Sequence, residues 1–261
     1  MSATATKFND GIAYEAWMGR WSKKVGEKFL EWLAPAEKLS WLDVGCGNGA
    51  FTETVQAKCA PSDILGVDPS QEQLDVANSR VTSKKIEYRI GSAQSLPFTD
   101  NTFDIAVMAL AINLPPDPAE AAAEMVRVTR SGGSVATYMW DIPNGGITME
   151  PLRSALSQMN IDTPIFGEAI TTPENMTALW KNAGLNDVNL TRIEIDLSFK
   201  SFNEFWHSNT AMQNTVVRAM ESLSETEIQV LKDNLKSSLP TGSSGNICYG
   251  AVANAVKGVV P

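Results

Sequence analysis

Apolar residues recur at spacings of three and four through the first stretch of the chain, at Tyr14, Trp17, Met18, Trp21, Val25 and Phe29. That period predicts an amphipathic helix over 7–33, ended by Pro35. The stripe fits either a helix packed on a sheet or a cap over a ligand. Further on the pattern changes to short apolar runs at 41–44, 64–67, 86–90, 103–109 and 134–140, which read as buried strands of a parallel sheet. Helical stretches separate them at 50–58, 71–81 and 118–129, with Ser70 placed to cap the second, Pro118 to open the third and Gly132-Gly133 to stop it. Strands alternating with helices at this spacing predict a right-handed, doubly wound α/β sheet. After Trp140 the rhythm loosens. A turn-rich loop at 141–146 precedes helices at 149–159 and 173–182, a strand at 188–197, two or three helices within 202–238, and a last strand within 245–256. Two strands after the fifth suit an appended antiparallel hairpin. The expected architecture over 1–261 is one α/β domain. It comprises a helical cap (1–35), a ligand-binding core (36–141), lid insertions (142–172 and 198–244) and an antiparallel C-terminal strand (245–261).

Composition narrows the chemistry. The 261 residues are 43% hydrophobic with a formal net charge of -9, which suits a sizeable core and argues against a grip on nucleic-acid phosphates. No secretory signal is visible at the start, and the longest uncharged apolar run, 105–112, is too short to span a bilayer. Cys46, Cys59 and Cys248 make no CxxC pair, so reduced thiols, no metal site and a cytoplasmic setting are expected.

The most informative stretch is Leu42-Asp43-Val44-Gly45-Cys46-Gly47-Asn48-Gly49, a strand running into a glycine turn and a helix start. Glycines at alternating positions let backbone bend sharply and approach a ligand. Gly45, Gly47 and Ala50 also satisfy a loose dinucleotide pattern, with Asp68 where a ribose-binding acid is expected, so a nicotinamide-dependent oxidoreductase is the rival reading. Three features favour S-adenosylmethionine. Asp43 would repel a pyrophosphate but can pair with an ammonium, the turn is G-x-G-x-G, and the C-terminal hairpin does not make a second mononucleotide half.

The ordered blocks 42–49, Gly66-Val67-Asp68-Pro69-Ser70, Gly91-Ser92-Ala93-Gln94-Ser95-Leu96-Pro97-Phe98, Phe103-Asp104 and 124–133 closely resemble the class I S-adenosylmethionine-dependent methyltransferases. The closest likeness is to their type 11, or ubiquinone-biosynthesis-like, small-molecule group. The resemblance covers roughly 14–140. It implies that Asp43, Gly45, Cys46 and Gly47 hold the methionine moiety, Asp68 the ribose hydroxyls, and Pro69 or Ser70 one side of the adenine. Ser92, Ala93 and Gln94 would meet the other adenine edge, with Ser92 standing where relatives carry an acid. Ala111, Ile112 and Asn113 would line the sulfonium end. Arg20, beside Tyr14, Met18 and Trp21, would clamp the methionine carboxylate, or else make a surface ion pair.

Candidates for the chemistry itself are few. His207, the sole histidine, has the pKa of a general base but reads equally as a surface helix residue; Asp141 ends the fifth strand at the right edge or caps the following loop. Trp140, Met149, Met159, Phe166, Trp206 and Met212 either line an apolar acceptor pocket or pack the lid. Lys23-Lys24 and Lys84-Lys85 read as solvated faces. The expected activity is O-, N- or C-methylation of a small, partly apolar acceptor by a monomer or homodimer, with S-adenosylhomocysteine as product. A non-catalytic binder of the same cofactor is the further alternative.

Overall fold

The computed structural model describes residues 19–211 and 214–261. Seven strands form one sheet in the order β3-β2-β1-β4-β5-β7-β6. The strands are β1 (Ser40–Val44), β2 (Asp63–Asp68), β3 (Ile86–Ile90), β4 (Phe103–Ala109), β5 (Thr129–Trp140), β6 (Asn186–Phe199) and β7 (Ile247–Val259). The first five are mutually parallel; β7 runs antiparallel between β5 and β6. The expected α/β class and antiparallel hairpin are therefore present. Strand order reverses beside β1, so the crevice at the carboxyl ends of β1 and β4 is the topological switch point of the sheet.

The connecting helices are α1 (Arg20–Leu33), α2 (Ala50–Lys58), α3 (Gln71–Ser79) and α4 (Pro118–Val128). Ser70 caps α3 by accepting from the Gln73 amide, and Asp117 caps α4 by accepting from Ala119 and Glu120. The predicted helix over 7–33 is described only from Arg20 onward, and Tyr14, Trp17 and Met18 lie outside the described residues. Where α1 is described, Trp21, Val25, Phe29, Leu30 and Leu33 are buried, as the stripe requires.

One boundary differs from the expectation. Gly132-Gly133 do not stop a helix; they lie inside β5, which begins at Thr129. The Gly132 amide donates to Val260, and a Cβ on Gly133 would come within 2.7 Å of the Asp104 carbonyl. Gly133 permits this close strand contact, while Gly132, at φ +75°, has open space where a Cβ would stand.

The insertion after β5 carries α5 (Glu150–Gln158), a short 3-10 turn (Glu168–Thr171) and α6 (Pro173–Asn182); the one after β6 carries α7 (Phe202–Thr210), α8 (Thr215–Met220) and α9 (Glu225–Ser238). α1 also covers the edge of β6, where Lys24 Nζ donates to the Asp196 carbonyl and Lys28 Nζ to Glu194, each at 2.8 Å. Lys85 Nζ likewise donates to Pro61, so neither Lys24 nor Lys85 is merely a solvated charge.

Candidate functional site

A cleft of about 780 Å³ opens at the carboxyl ends of β1, β2, β4 and β5. One end is polar and built largely from backbone. Gly45 and Gly47 have φ of +71° and +53°, a left-handed conformation that glycine adopts without strain. The Gly45 and Cys46 amides donate to the Val67 carbonyl, which ties the turn to β2. From β2 the Asp68 carboxylate accepts the Gly47 amide at one oxygen and the Ser70 amide at the other, both at 2.9 Å. Burial raises the Asp68 pKa while these two amides oppose the rise. Two pinned oxygens retain lone pairs for further donors. Pro69, Ser70, Glu72, Ser92, Ala93 and Gln94 continue this end.

The 124–133 block positions that wall without touching the cleft. Glu124 accepts the Leu96 amide at 2.7 Å and pairs with Arg127, whose guanidinium also donates to the Leu96 and Phe98 carbonyls and to Asp100. The pairing with Arg127 holds the Glu124 carboxyl below the usual carboxylate range. The loop after β3 is thereby clamped to α4.

The other end is apolar. Met108, Met139, Trp140, Ile142, Ile147 and Met149 come from the core strands and the loop after β5, Ile165 from the first insertion and Val216 from the second. Leu110 forms the step between the two ends. It holds φ +55°, an uncommon conformation for a bulky residue, fixed by its amide donating to the Tyr138 carbonyl.

Several expected site residues lie elsewhere. Asp43 is only 1% exposed and is not on the cleft wall; it sits beneath the turn, accepting from Thr52 Oγ1 at 2.6 Å. Its other oxygen has no partner among the described residues, and burial pushes its pKa up to about 7 against the opposing Thr52 bond, with Asp68 adding to the rise. Ile112 is wholly buried in the core rather than on the wall, unlike its neighbours Ala111 and Asn113. Arg20 forms a 2.9 Å pair with Glu204 at the surface and lies over the Trp21 and Phe199 rings, while Trp21 packs edge-on against Phe199. Neither reaches the cleft. Tyr14, Met18 and Met212 lie outside the described residues.

Both catalytic candidates are also displaced. Asp141 is buried off the cleft, accepting from Asn144 Nδ2 at 2.9 Å, with Arg192 3.8 Å away, and so braces the 141–146 loop. His207 is exposed on α7, away from the cleft. Trp140 and Met149 are on the wall, but Trp206 stacks on Phe202, Met159 packs against the core, and Phe166 lines an adjoining groove.

Sequence reasoning missed Ser22 and Lys23, which α1 brings to the wall, and Tyr138, Ile147, Ile165 and Val216. Lys23 was read as solvated because a single charge on a helix carries no sign of what it borders. The apolar residues gave no signal that separates a wall from a core. Among the described residues, the titratable groups on the wall are Lys23, Cys46, Asp68, Glu72 and Tyr138, none from the first or second insertion. Among them, too, no cluster could hold a metal ion and no helix could cross a membrane.

Comparison with known proteins agrees with this geometry. Residues 42–137 match the model of a methyltransferase domain family. An uncharacterized methyltransferase of Schizosaccharomyces pombe is 41% identical over 122 residues, 43% of each chain. A demethylmenaquinone methyltransferase of Lactiplantibacillus plantarum is 35% identical over 48% of this chain and 54% of its own. The chain thus spans about half the length of these curated relatives, or less. Haemonchus contortus phosphoethanolamine N-methyltransferase 2, solved with phosphomonomethylethanolamine and S-adenosylhomocysteine, superposes with a TM-score of 0.61 at 19% identity, over 98% of this chain and 58% of its own. At that identity the likeness is one of fold.

Proposed function

The chain belongs, through residues 42–137, to the type 11 group of class I S-adenosylmethionine-dependent methyltransferases, and from that premise we propose that it methylates a small, largely apolar molecule. The observation that carries this reading is Asp68. Its carboxylate is fixed by the Gly47 and Ser70 amides at the edge of a glycine turn that leaves room for a ligand backbone-close. The fit is good on three counts. Asp68 keeps acceptor capacity for ribose hydroxyls, the left-handed glycines present no side chain there, and Ser92, Ala93 and Gln94 face it as a platform for an adenine edge. Lys23, at the cleft's rim on α1, replaces Arg20 as the cation available to a carboxylate.

S-adenosylmethionine, when bound, supplies an electrophilic methyl group on a sulfonium. This chain's residues bind and orient. Ala111 and Asn113 stand between the polar and apolar ends, where the reacting centres would meet. Met139, Trp140, Met149 and Ile165 would hold the acceptor and exclude water. Among the described residues the insertions bring no ionisable side chain to that end, and the rate enhancement is assigned chiefly to proximity and alignment. An acidic net charge and three unpaired cysteines support a small-molecule acceptor and a cytoplasmic setting. The test is thermal unfolding with added nucleotide. S-adenosylhomocysteine is expected to raise the melting temperature in a concentration-dependent way and NAD to leave it unchanged; the opposite pattern refutes the reading.

A further inference from the structure

β3 ends the sheet on one side, and among the described residues no strand pairs beyond it. Its inward bonds fix which backbone groups face out. The Ile64 amide donates to the Lys85 carbonyl and the Gly91 amide to the Asp68 carbonyl, so residues 85, 87, 89 and 91 turn their backbone towards β2. Bonding alternates along a strand in a parallel ladder, which leaves the amides and carbonyls of Tyr88 and Ile90 pointing outward. An open edge of this kind is a template for another chain, and charged side chains on it ordinarily keep copies apart. Here their order does the reverse. Glu87 and Arg89 are exposed, flank Tyr88, share one face of the strand and pair with each other at 2.7 Å. In an antiparallel copy with its two-fold axis at Tyr88, Glu87 of each chain stands opposite Arg89 of the other. Tyr88 opposite Tyr88 exchanges both backbone bonds, so the Glu87 and Arg89 sites become the non-hydrogen-bonded positions, where facing side chains stand closest. Ile90 is 58% exposed, the most exposed large apolar side chain among the described residues, and it falls opposite the buried Ile86. The same five residues serve both sides, as an isologous contact requires.

We propose that the β3 edges of two copies of this chain pair antiparallel about Tyr88, joining their sheets across a homodimer. Charge selects the partner and the register together: a slip of two residues, or a parallel approach, sets Glu87 and Arg89 against groups that do not match them. None of residues 86–90 lines the cleft, so the contact takes nothing from its wall and stands apart from the methyl-transfer reading. The paired strands are short, and the dimer is a weak one that forms with rising concentration.

The test is sedimentation equilibrium of the full chain beside Glu87→Arg and Arg89→Glu, with circular dichroism as the check on folding. The wild type is expected to pass from monomer towards dimer as its concentration rises from about 1 to about 500 μM. Each single variant sets like charges opposite one another at both symmetric sites, and is expected to raise the dissociation constant at least about tenfold. An equal mixture of the two variants again places opposite charges at both sites, so it should associate about as well as the wild type although neither variant does so alone. A wild type that stays monomeric through that range, a dimer that persists in either variant, or a mixture that does not associate overturns the proposal.

Discussion

The two ends of the cleft are built on different principles. At the polar end, two short contiguous stretches do the work, largely through backbone amides: the turn after β1, and Asp68, its carboxylate held by two amides, with the start of α3. At the apolar end, side chains converge from Met139 on β5, Ile165 in the first insertion and Val216 in the second, which lie far apart along the chain. A site made of local backbone geometry leaves a spaced motif. A site made of distant packing leaves only apolar residues that look like any core.

The sharpest way to break the comparison is at Asp68. Asp68→Ala removes the charged acceptor and frees two amides; hydrogen bonds to charged groups are worth about 1.5–3 kcal/mol each, so S-adenosylhomocysteine affinity should fall about a hundredfold by calorimetry. Retained affinity would detach the polar end from the donor. Next is Gly49, which opens α2 at φ +81°; a Cβ there would strike the Tyr88 side chain and come within 3.2 Å of Ala77. Gly49→Ala should cost about 1–3 kcal/mol in denaturant unfolding, and adding Tyr88→Phe should return part of it. A loss that Tyr88→Phe leaves unchanged would locate the cost in the backbone alone.

Asp43 gives a pH-dependent test of the polar end. Burial raises its pKa from 3.8 to about 7, so between these values the folded state binds a proton that the unfolded chain does not. The folded state therefore loses stability from this group as pH rises from about 4 to about 7, and the loss levels off above that. Asp43→Asn should remove the slope, so that the variant gains on the wild type as pH climbs through the window. Parallel melting curves across that range would contradict the buried placement of Asp43, held among the described residues by Thr52 at one oxygen alone. The smallest effect is expected at His207. His207→Ala should change turnover less than about twofold, with a superimposable pH profile, because the residue is exposed and off the cleft. Loss of the low-pH limb, where a general base becomes protonated, would reinstate it as the base.

The sheet was legible because each strand is a short apolar run bounded by turn residues, and because Ser70 and Pro118 carry the chemistry of helix starts. The geometry of the glycine turn and of Asp68 beside it was legible for the same reason: both depend on local conformation. Asp43 was misplaced because spacing put it at the strand's end without showing that Thr52, nine residues on, would bind its carboxyl. Arg20 was misplaced because its partner, Glu204, is 184 residues away. The 124–133 block was visible as a motif, yet its role as a clamp on the loop after β3 appears only once Glu124 and Arg127 are seen gripping Leu96 and Phe98. Leu110 gave no sign at all, since its backbone conformation is imposed by β5.

The most direct test is a crystal structure of the protein grown with S-adenosylhomocysteine. It is expected to show both ribose hydroxyls within about 3 Å of the Asp68 carboxylate, with the backbone of Gly45 and Gly47 against the amino-acid portion. A ligand bound elsewhere, or a ribose that does not touch Asp68, would contradict the account.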